Sequence, residues 1–156
     1  MPRADTTRTL ATPFAVALAA ALAAGLAPAP AQAETLHPLV TVVTAEHPQT
    51  QLMAMVLTMQ AIEQGHEVRV LLCGPAGDIA LRDAPDSATA PQPPRDMSPQ
   101  GLLQAAIGSG TRVEVCAIYL PGLGADEGAL IDGVGVAQPP EMAGAMRDGA
   151  TQVWSF

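Results

Sequence analysis

The chain has 156 residues, of which 49% are hydrophobic and 14% charged, and its formal net charge is −8. Its seven basic residues are all arginines, and the absence of lysine excludes a Walker A phosphate-binding loop and Schiff-base catalysis. An acidic chain of this kind is a poor partner for nucleic acid and for anionic membrane surfaces.

The first 33 residues have the order of a secretory signal peptide. Arg3 and Arg8 precede an uncharged run rich in alanine and leucine, and Ala31-Gln32-Ala33 has the A-x-A form of a cleavage site. The uncharged run is shorter than the roughly 20 residues that span a bilayer. The sequence therefore predicts cleavage near residue 33, export to the periplasm and no membrane attachment afterwards. Residues 34–156 are expected to form a single domain.

A strand, a helix and a second strand are predicted at the start of this domain. Residues 39–44 are apolar and β-branched, as in a strand buried on both faces. Thr50 is the predicted N-cap of a helix that ends near Gln64, where Gly65 provides the C′ residue. Residues 67–72 then resume the strand pattern, so the crossover is long enough for parallel pairing.

The middle of the domain predicts a loop, a helix and a third strand. A helical turn is expected at residues 78–81, and residues 83–97, rich in proline, alanine and aspartate, are expected to form a mobile loop. Ser98 and Pro99 have the residue types of an N-cap and a first helical position. The helix ends before Gly108 and Gly110, and residues 112–118 are predicted as a strand that contains Cys116.

The last third predicts two further strands. A turn at residues 121–124 and one or two helical turns at 125–130 precede a short strand at 133–137. Pro139 and Pro140 can begin a helix that Gly149 ends, before a strand at 151–156. Alternating strands and helices indicate an α/β fold, with a mainly parallel five-stranded sheet covered by helices on both faces.

The candidate functional residues lie where the predicted strands end. Ligands of open parallel sheets gather at the carboxyl ends of the strands. This rule selects Glu46 and His47 after the first strand, Cys73 after the second, and Cys116 with Tyr119 toward the end of the third. A cysteine there is a candidate nucleophile if nearby positive dipoles favour its thiolate. For Cys116 the alternative is a small buried hydrophobic residue.

Three interpretations of the two cysteines remain open from the sequence. Cys73 and Cys116 form a disulfide in an oxidising compartment only if their strands are neighbours with matching register. They are otherwise reactive thiols, or soft-metal ligands together with His47 or a methionine. The helical spacing of the methionines favours core packing over copper binding. The sequence has no G-x-S-x-G elbow, so hydrolase chemistry is not expected.

Three segments resemble the DsrE/DsrF/TusD sulfur-relay family. They are residues 61–72 (AIEQGHEVRVLL), 112–120 (RVEVCAIYL) and 130–136 (LIDGVGV), and the resemblance covers residues 39–156 in the same order of elements. It implies a three-layer α/β/α domain that assembles into homo-oligomers. It also implies sulfane sulfur carried as a persulfide on a cysteine in the third-strand region, a position that Cys116 occupies.

The family chemistry needs no metal or nucleotide cofactor, and its partners are thiol or persulfide donors and acceptors. Cys73 lies outside the usual family pattern. The leading hypothesis is therefore an exported DsrE-like thiol protein whose only enzymatic activity is sulfur transfer or thiol redox exchange on Cys116, with Cys73 as a further candidate. The alternatives are a binding or assembly module with structural cysteines and a soft-metal binder that uses Cys73, Cys116 and His47.

Overall fold

The computed structural model of the protein describes residues 36–156. Within them, five strands form one sheet in which every neighbouring pair is parallel. In chain order the strands are Leu39–Val43 (β1), Val68–Leu72 (β2), Arg112–Val115 (β3), Val134–Val136 (β4) and Gln152–Ser155 (β5). The predicted α/β class and the five strands are confirmed.

Helices connect the strands. The α-helices are Pro48–Glu63 (α1), Asp86–Thr89 (α2), Pro99–Gly108 (α3), Tyr119–Leu123 (α4) and Pro139–Arg147 (α5). Two 3-10 helices, Gly74–Ala80 and Glu127–Ala129, lie between them. No helix within residues 36–156 combines the length and the hydropathy needed to cross a bilayer. The predicted signal peptide lies outside the described residues and stays a prediction.

The strand order is β4-β3-β2-β1-β5. The chain therefore adds β2, β3 and β4 outward on one side of β1, and then returns to add β5 on the other side. Parallel neighbours require crossover connections, and α1, α3 and α5 supply most of them. This order makes β2 and β3 neighbours, which is the condition that a bond between Cys73 and Cys116 requires.

Successive side chains of each strand point to opposite faces of the sheet, so both faces carry apolar residues, and helices cover both. Leu39 and Val43 belong to the larger core with α1 and α3, whereas Val40 and Leu71 pack with Met142 of α5 on the opposite face. The arrangement is the predicted three-layer α/β/α sandwich. The face under α5 has the smaller core, and both cysteines pack against that core.

The helix α1 begins earlier than its sequence pattern predicts. The N-cap is His47, whose Nδ1 accepts a hydrogen bond from the Gln49 amide, and Pro48 occupies the first turn. Thr50, the predicted cap, already lies inside the helix. The predicted end is correct, since Gln64 is the C-cap and Gly65 follows with φ +91°, a conformation that glycine adopts without a steric cost.

Two further predictions need correction. The third strand ends at Val115 and not at Ile118, because the chain turns into α4, so Cys116 lies immediately after the strand instead of within it. The segment predicted as a loop at residues 83–97 contains the short helix α2 and an antiparallel bridge between Gln92 and Met97. The helix α3 begins as predicted, with the Ser98 hydroxyl accepting from the Gly101 amide.

Candidate functional site

The two cysteines are joined by a disulfide bond at the carboxyl edge of the sheet. They are 43 residues apart in the sequence, and their Cα atoms are 5.2 Å apart. Leu72 and Val115 are partners in the parallel register of β2 and β3, so the next residues, Cys73 and Cys116, lie opposite each other. Neighbouring strands are about 4.8 Å apart, a spacing that a disulfide can bridge.

Backbone hydrogen bonds hold both cysteines in line with the strands. The Cys73 amide donates to the Val43 carbonyl at 2.9 Å, and the Cys116 amide donates to the Leu72 carbonyl at 2.8 Å. Both side chains point to the α5 face, because each cysteine lies two positions beyond a residue of that face, Leu71 or Glu114. Both residues are half-buried. The disulfide is therefore fixed by the sheet on one side and accessible on the other.

A tyrosine and an aspartate lie on the two helical segments that follow the cysteines. The Tyr119 hydroxyl donates a hydrogen bond of 2.6 Å to Oδ1 of Asp78. Burial raises the pKa of the Tyr119 phenol above its ordinary value, and the bond to Asp78 raises that pKa further. The phenol therefore remains protonated over the whole neutral range and acts there as a hydrogen-bond donor.

The ring of Tyr119 lies directly on the backbone of Gly77. A Cβ atom added at Gly77 would overlap the Tyr119 ring, so only glycine permits this close approach. Since Gly77 belongs to the 3-10 helix that begins after Cys73, and Tyr119 begins α4, this contact locks together the two segments that leave the disulfide.

An apolar groove lies between the disulfide and α5. It has a volume of about 330 Å³. Its lining, called here the α5 groove, includes Leu71, Cys116, Ile118, Pro139, Met142 and Met146. A second cavity of about 350 Å³ shares Ile118 with this groove and is bounded by Gly74, Asp78, Tyr119 and Leu123. Ile118 is 81% exposed, the highest exposed fraction among the exposed large hydrophobic residues of the described part of the chain.

Of the candidate residues that follow the first strand, Glu46 lines a cavity of about 390 Å³ together with Asp78. His47 and Glu46 are exposed, and the His47 ring caps α1. Within residues 36–156, no group of three or more His, Cys, Asp or Glu side chains is placed to hold a metal ion. The sulfur atoms of Cys73 and Cys116 are bonded to each other, and a soft metal requires free thiolates.

A charged network occupies the opposite, amino-terminal end of the same face. Glu114 accepts from Arg69 Nε at 2.6 Å and from Arg112 Nη2 at 2.8 Å, and Glu141 of α5 pairs with Arg112. The hydrogen bond to Glu141 raises the pKa of Arg112, and the same bond lowers the pKa of Glu141. The sequence interpretation missed this network. Its signal was the opposite charges at alternating positions of two apolar strands, in Val68-Arg69-Val70 and Val113-Glu114-Val115.

The architecture has counterparts among solved structures. The ychN protein from E. coli superposes with a TM-score of 0.63 at 21% identity, over 78% of this chain and 100% of its own. The protein of unknown function MTH1491 from Methanobacterium thermoautotrophicum superposes with a TM-score of 0.56 at 18% identity, over 77% of this chain and 99% of its own. The chain has a DsrE-like fold.

The predicted fold resemblance is thus confirmed, and the fold covers nearly the whole of the described domain. No family model and no curated protein sequence matches the chain. At these identities the likeness to ychN and MTH1491 establishes the fold alone. The function has to be argued from the side chains at the carboxyl edge of this DsrE-like sheet.

Proposed function

We propose that the protein is an exported DsrE-like thiol protein in which Cys73 and Cys116 form a redox-active pair that handles sulfane sulfur. The single observation that carries the proposal is the disulfide itself. It joins two strand ends at the ligand-binding edge of the fold, and both of its residues are half-buried instead of enclosed in the core. Accessible disulfides have higher reduction potentials than enclosed structural ones.

The proposed chemistry begins with the reduced pair. The Cys116 thiolate attacks the outer sulfur of a persulfide RS–SH and displaces RS⁻, so Cys116 becomes a persulfide. The Cys73 thiolate then attacks the Cys116 sulfur and expels HS⁻, which re-forms the disulfide. Two thiols are oxidised, one sulfane sulfur is reduced to sulfide, and an external dithiol is needed to return the protein to its starting state.

The assignment of Cys116 as the acceptor follows from its surroundings. Cys116 lines the α5 groove, whereas Cys73 does not, so an incoming sulfur compound meets Cys116 first. Cys116 also occupies the position at which the resembling family carries sulfur. Export removes the protein from cytoplasmic partners, so the donor, the acceptor and the reducing dithiol are proposed to be periplasmic. Assembly into a homo-oligomer is proposed on the resemblance alone.

The test is persulfide transfer followed by mass spectrometry under native conditions. The reduced protein and its Cys73→Ser and Cys116→Ser variants are treated with inorganic polysulfide, which supplies sulfane sulfur without an organic group. We expect one added sulfur that persists on Cys116 in Cys73→Ser, sulfide release with disulfide formation in the unsubstituted protein, and neither in Cys116→Ser. Equal sulfide release from Cys116→Ser would refute the assignment.

The second candidate function is a binding or assembly module in which the disulfide is structural. The observation that favours it is the closure of a loop between residues 43 positions apart, which stabilises a folded chain by about 4 kcal/mol. Under this alternative the disulfide resists native-state reduction. The double variant Cys73→Ser and Cys116→Ser then keeps whatever binding the protein has, at lower thermal stability.

A further inference from the structure

We infer that the α5 groove selects the organic part of the sulfur substrate, and that it accepts uncharged apolar thiols and persulfides while disfavouring anionic ones. This inference rests on the proposed function, because it concerns the compounds that reach Cys116. It deepens that proposal by naming the chemical class of the substrate from the walls of the groove.

The groove is contiguous with the reactive bond. Cys116 forms part of its wall, so a compound whose sulfur reaches Cys116 places its neighbouring atoms against Leu71, Ile118 and Met142. A volume of about 330 Å³ lies at the lower end of the range for small-molecule sites, and one aromatic ring fits into a smaller space of about 150 Å³. The site is therefore suited in size to a small thiol.

The charges around the groove argue against an anionic substrate. Among the described residues that line the groove or the adjoining cavity, Asp78 is the only charged one, and it is acidic. Arg69 and Arg112 are paired with Glu114 at the other end of the strands, and Arg147, which follows Met146 at the end of α5, does not line the groove. A carboxylate in the groove would lose hydration without gaining a partner.

The apolar wall supplies the attraction. Met142 is buried against the sheet, and Met146 and Ile118 leave apolar surface exposed at the rim of the groove. Methionine side chains adapt to ligands of different shape and make favourable contacts with aromatic rings. An uncharged aromatic thiol therefore covers apolar surface that water otherwise contacts, at no electrostatic cost.

The experiment compares two probes on the oxidised full-length mature protein. Benzyl mercaptan is uncharged, and para-carboxybenzyl mercaptan differs from it by one carboxylate. In each case the thiolate attacks the Cys116 sulfur, a mixed disulfide forms and Cys73 leaves as a thiolate. We expect the rate constant, expressed per thiolate, to be about tenfold higher for the uncharged probe.

Two matched lysine variants separate the groove from the overall negative charge of the protein. In Ile118→Lys a cation enters the groove wall at an exposed position, and the preference should fall by roughly threefold, as expected for a partly solvated ion pair. In Met53→Lys the same charge is added at an exposed position of α1, on the other side of the sheet, and the preference should not change.

The outcomes distinguish the inference from the function on which it rests. If neither probe nor dithiothreitol reduces the native protein, the proposed function fails. If both probes react at equal rates per thiolate, or if Met53→Lys changes the preference as much as Ile118→Lys does, the function stands and the inference is overturned. If Ile118→Lys lowers the mass of the assembly in sedimentation, a second copy of the chain covers the groove, and that result also overturns the inference.

Discussion

The two ends of the sheet face under α5 differ in their side chains, since one end is charged and the other is apolar and contains the disulfide. At the amino ends of the strands, Arg69, Glu114, Arg112 and Glu141 form one network of ion pairs, and Nη2 of Arg69 is buried there without a hydrogen-bond partner. At the carboxyl ends, the Cys73–Cys116 disulfide adjoins an apolar groove with a large exposed side chain at its rim. We call the network of Arg69, Glu114, Arg112 and Glu141 the amino-terminal clamp, because its ion pairs join β2, β3 and α5. The second region leaves its disulfide accessible, as a reactive site requires.

On this face of the sheet, only a few residues separate the part that stabilises the fold from the part that is available for chemistry. Glu114 and Cys116 are two positions apart and point to the same side, yet one is held by two arginines and the other is bonded to a single partner at the surface of the groove. Perturbing the first should lower the free energy of unfolding without changing thiol reactivity. Perturbing the second should change both.

The largest expected effect is on the amino-terminal clamp. Glu114→Gln removes the charge from a side chain that is 4% exposed and leaves Arg69 without its main partner. Loss of one member of a buried ion pair is expected to lower the free energy of unfolding by about 4 kcal/mol. Denaturant unfolding, followed by the fluorescence of Trp154, the single tryptophan, measures this loss. The control is Asp132→Asn, which breaks an exposed pair with Arg82 and should cost less than about 1 kcal/mol. An equal loss of unfolding free energy in Glu114→Gln and Asp132→Asn would show that the clamp stabilises the fold no more than an exposed ion pair does.

The next effect is on the disulfide. Reduction of the native protein should lower its unfolding free energy by up to about 4 kcal/mol, because the unfolded chain regains the freedom that the cross-link between residues 43 positions apart removes. The comparison is between unfolding curves with and without dithiothreitol. The double serine variant of Cys73 and Cys116 is the control, and its curve should not respond to reductant. If the unfolding curve of the unsubstituted protein is the same with and without dithiothreitol, the disulfide does not stabilise the fold.

A smaller effect is expected at the Tyr119–Asp78 pair beside the disulfide. Because folding raises the pKa of Tyr119, the stabilisation is fully present below the unfolded pKa of about 10 and is lost as the pH rises above it. Stability of the unsubstituted protein should therefore fall in alkali, whereas Tyr119→Phe should lack this component and be about 1 kcal/mol less stable at neutral pH. Tyr119 is the single tyrosine, so phenolate absorbance reports it directly. If the folded protein shows phenolate formation at the ordinary pKa of a tyrosine, Tyr119 is neither buried nor hydrogen-bonded to Asp78 as described.

The smallest effect is expected at the exposed end of the clamp. The hydrogen bond from Arg112 lowers the pKa of Glu141, so its contribution is present above the unfolded pKa and is lost as the pH falls through the lower folded pKa. In Glu141→Gln the decrease of stability between neutral and acidic pH should be slightly smaller than in the unsubstituted protein. Thermal unfolding across that pH range measures the difference, and a larger acid sensitivity in the variant would have the wrong sign.

The sequence predicted the elements of the fold better than their edges. Gly65 and the Ser98-Pro99 pair define helix ends by local chemistry, and the structure confirms both. The start of α1 was misplaced because a histidine cap is less typical than threonine, and β3 was extended too far because Ala117 and Ile118 continue its apolar pattern. The first error lies in a local signal that was overlooked, the cap by His47 with Pro48 in the first turn, whereas the second arises where the chain turns from β3 into α4.

The sequence predicts only part of the candidate site, because the rest depends on how distant segments pack together. Cys73 and Cys116 could be assigned to one edge of the sheet from the ends of their strands, but their bond depends on β2 and β3 being neighbours in matched register. Strand order is a tertiary property. The hydrogen bond from Tyr119 to Asp78 joins two helical segments across a sequence separation of 41 residues, and no local pattern indicates it.

Whether the disulfide is redox-active is measured by redox equilibration of the folded protein against thiol–disulfide buffers, with the reduced fraction determined by alkylation and mass spectrometry. We expect a reversible two-electron transition of Cys73 and Cys116 at a potential above about −300 mV, with Trp154 fluorescence unchanged. A disulfide that is reduced only at lower potentials, or only when the chain unfolds, would show that the bond serves stability alone.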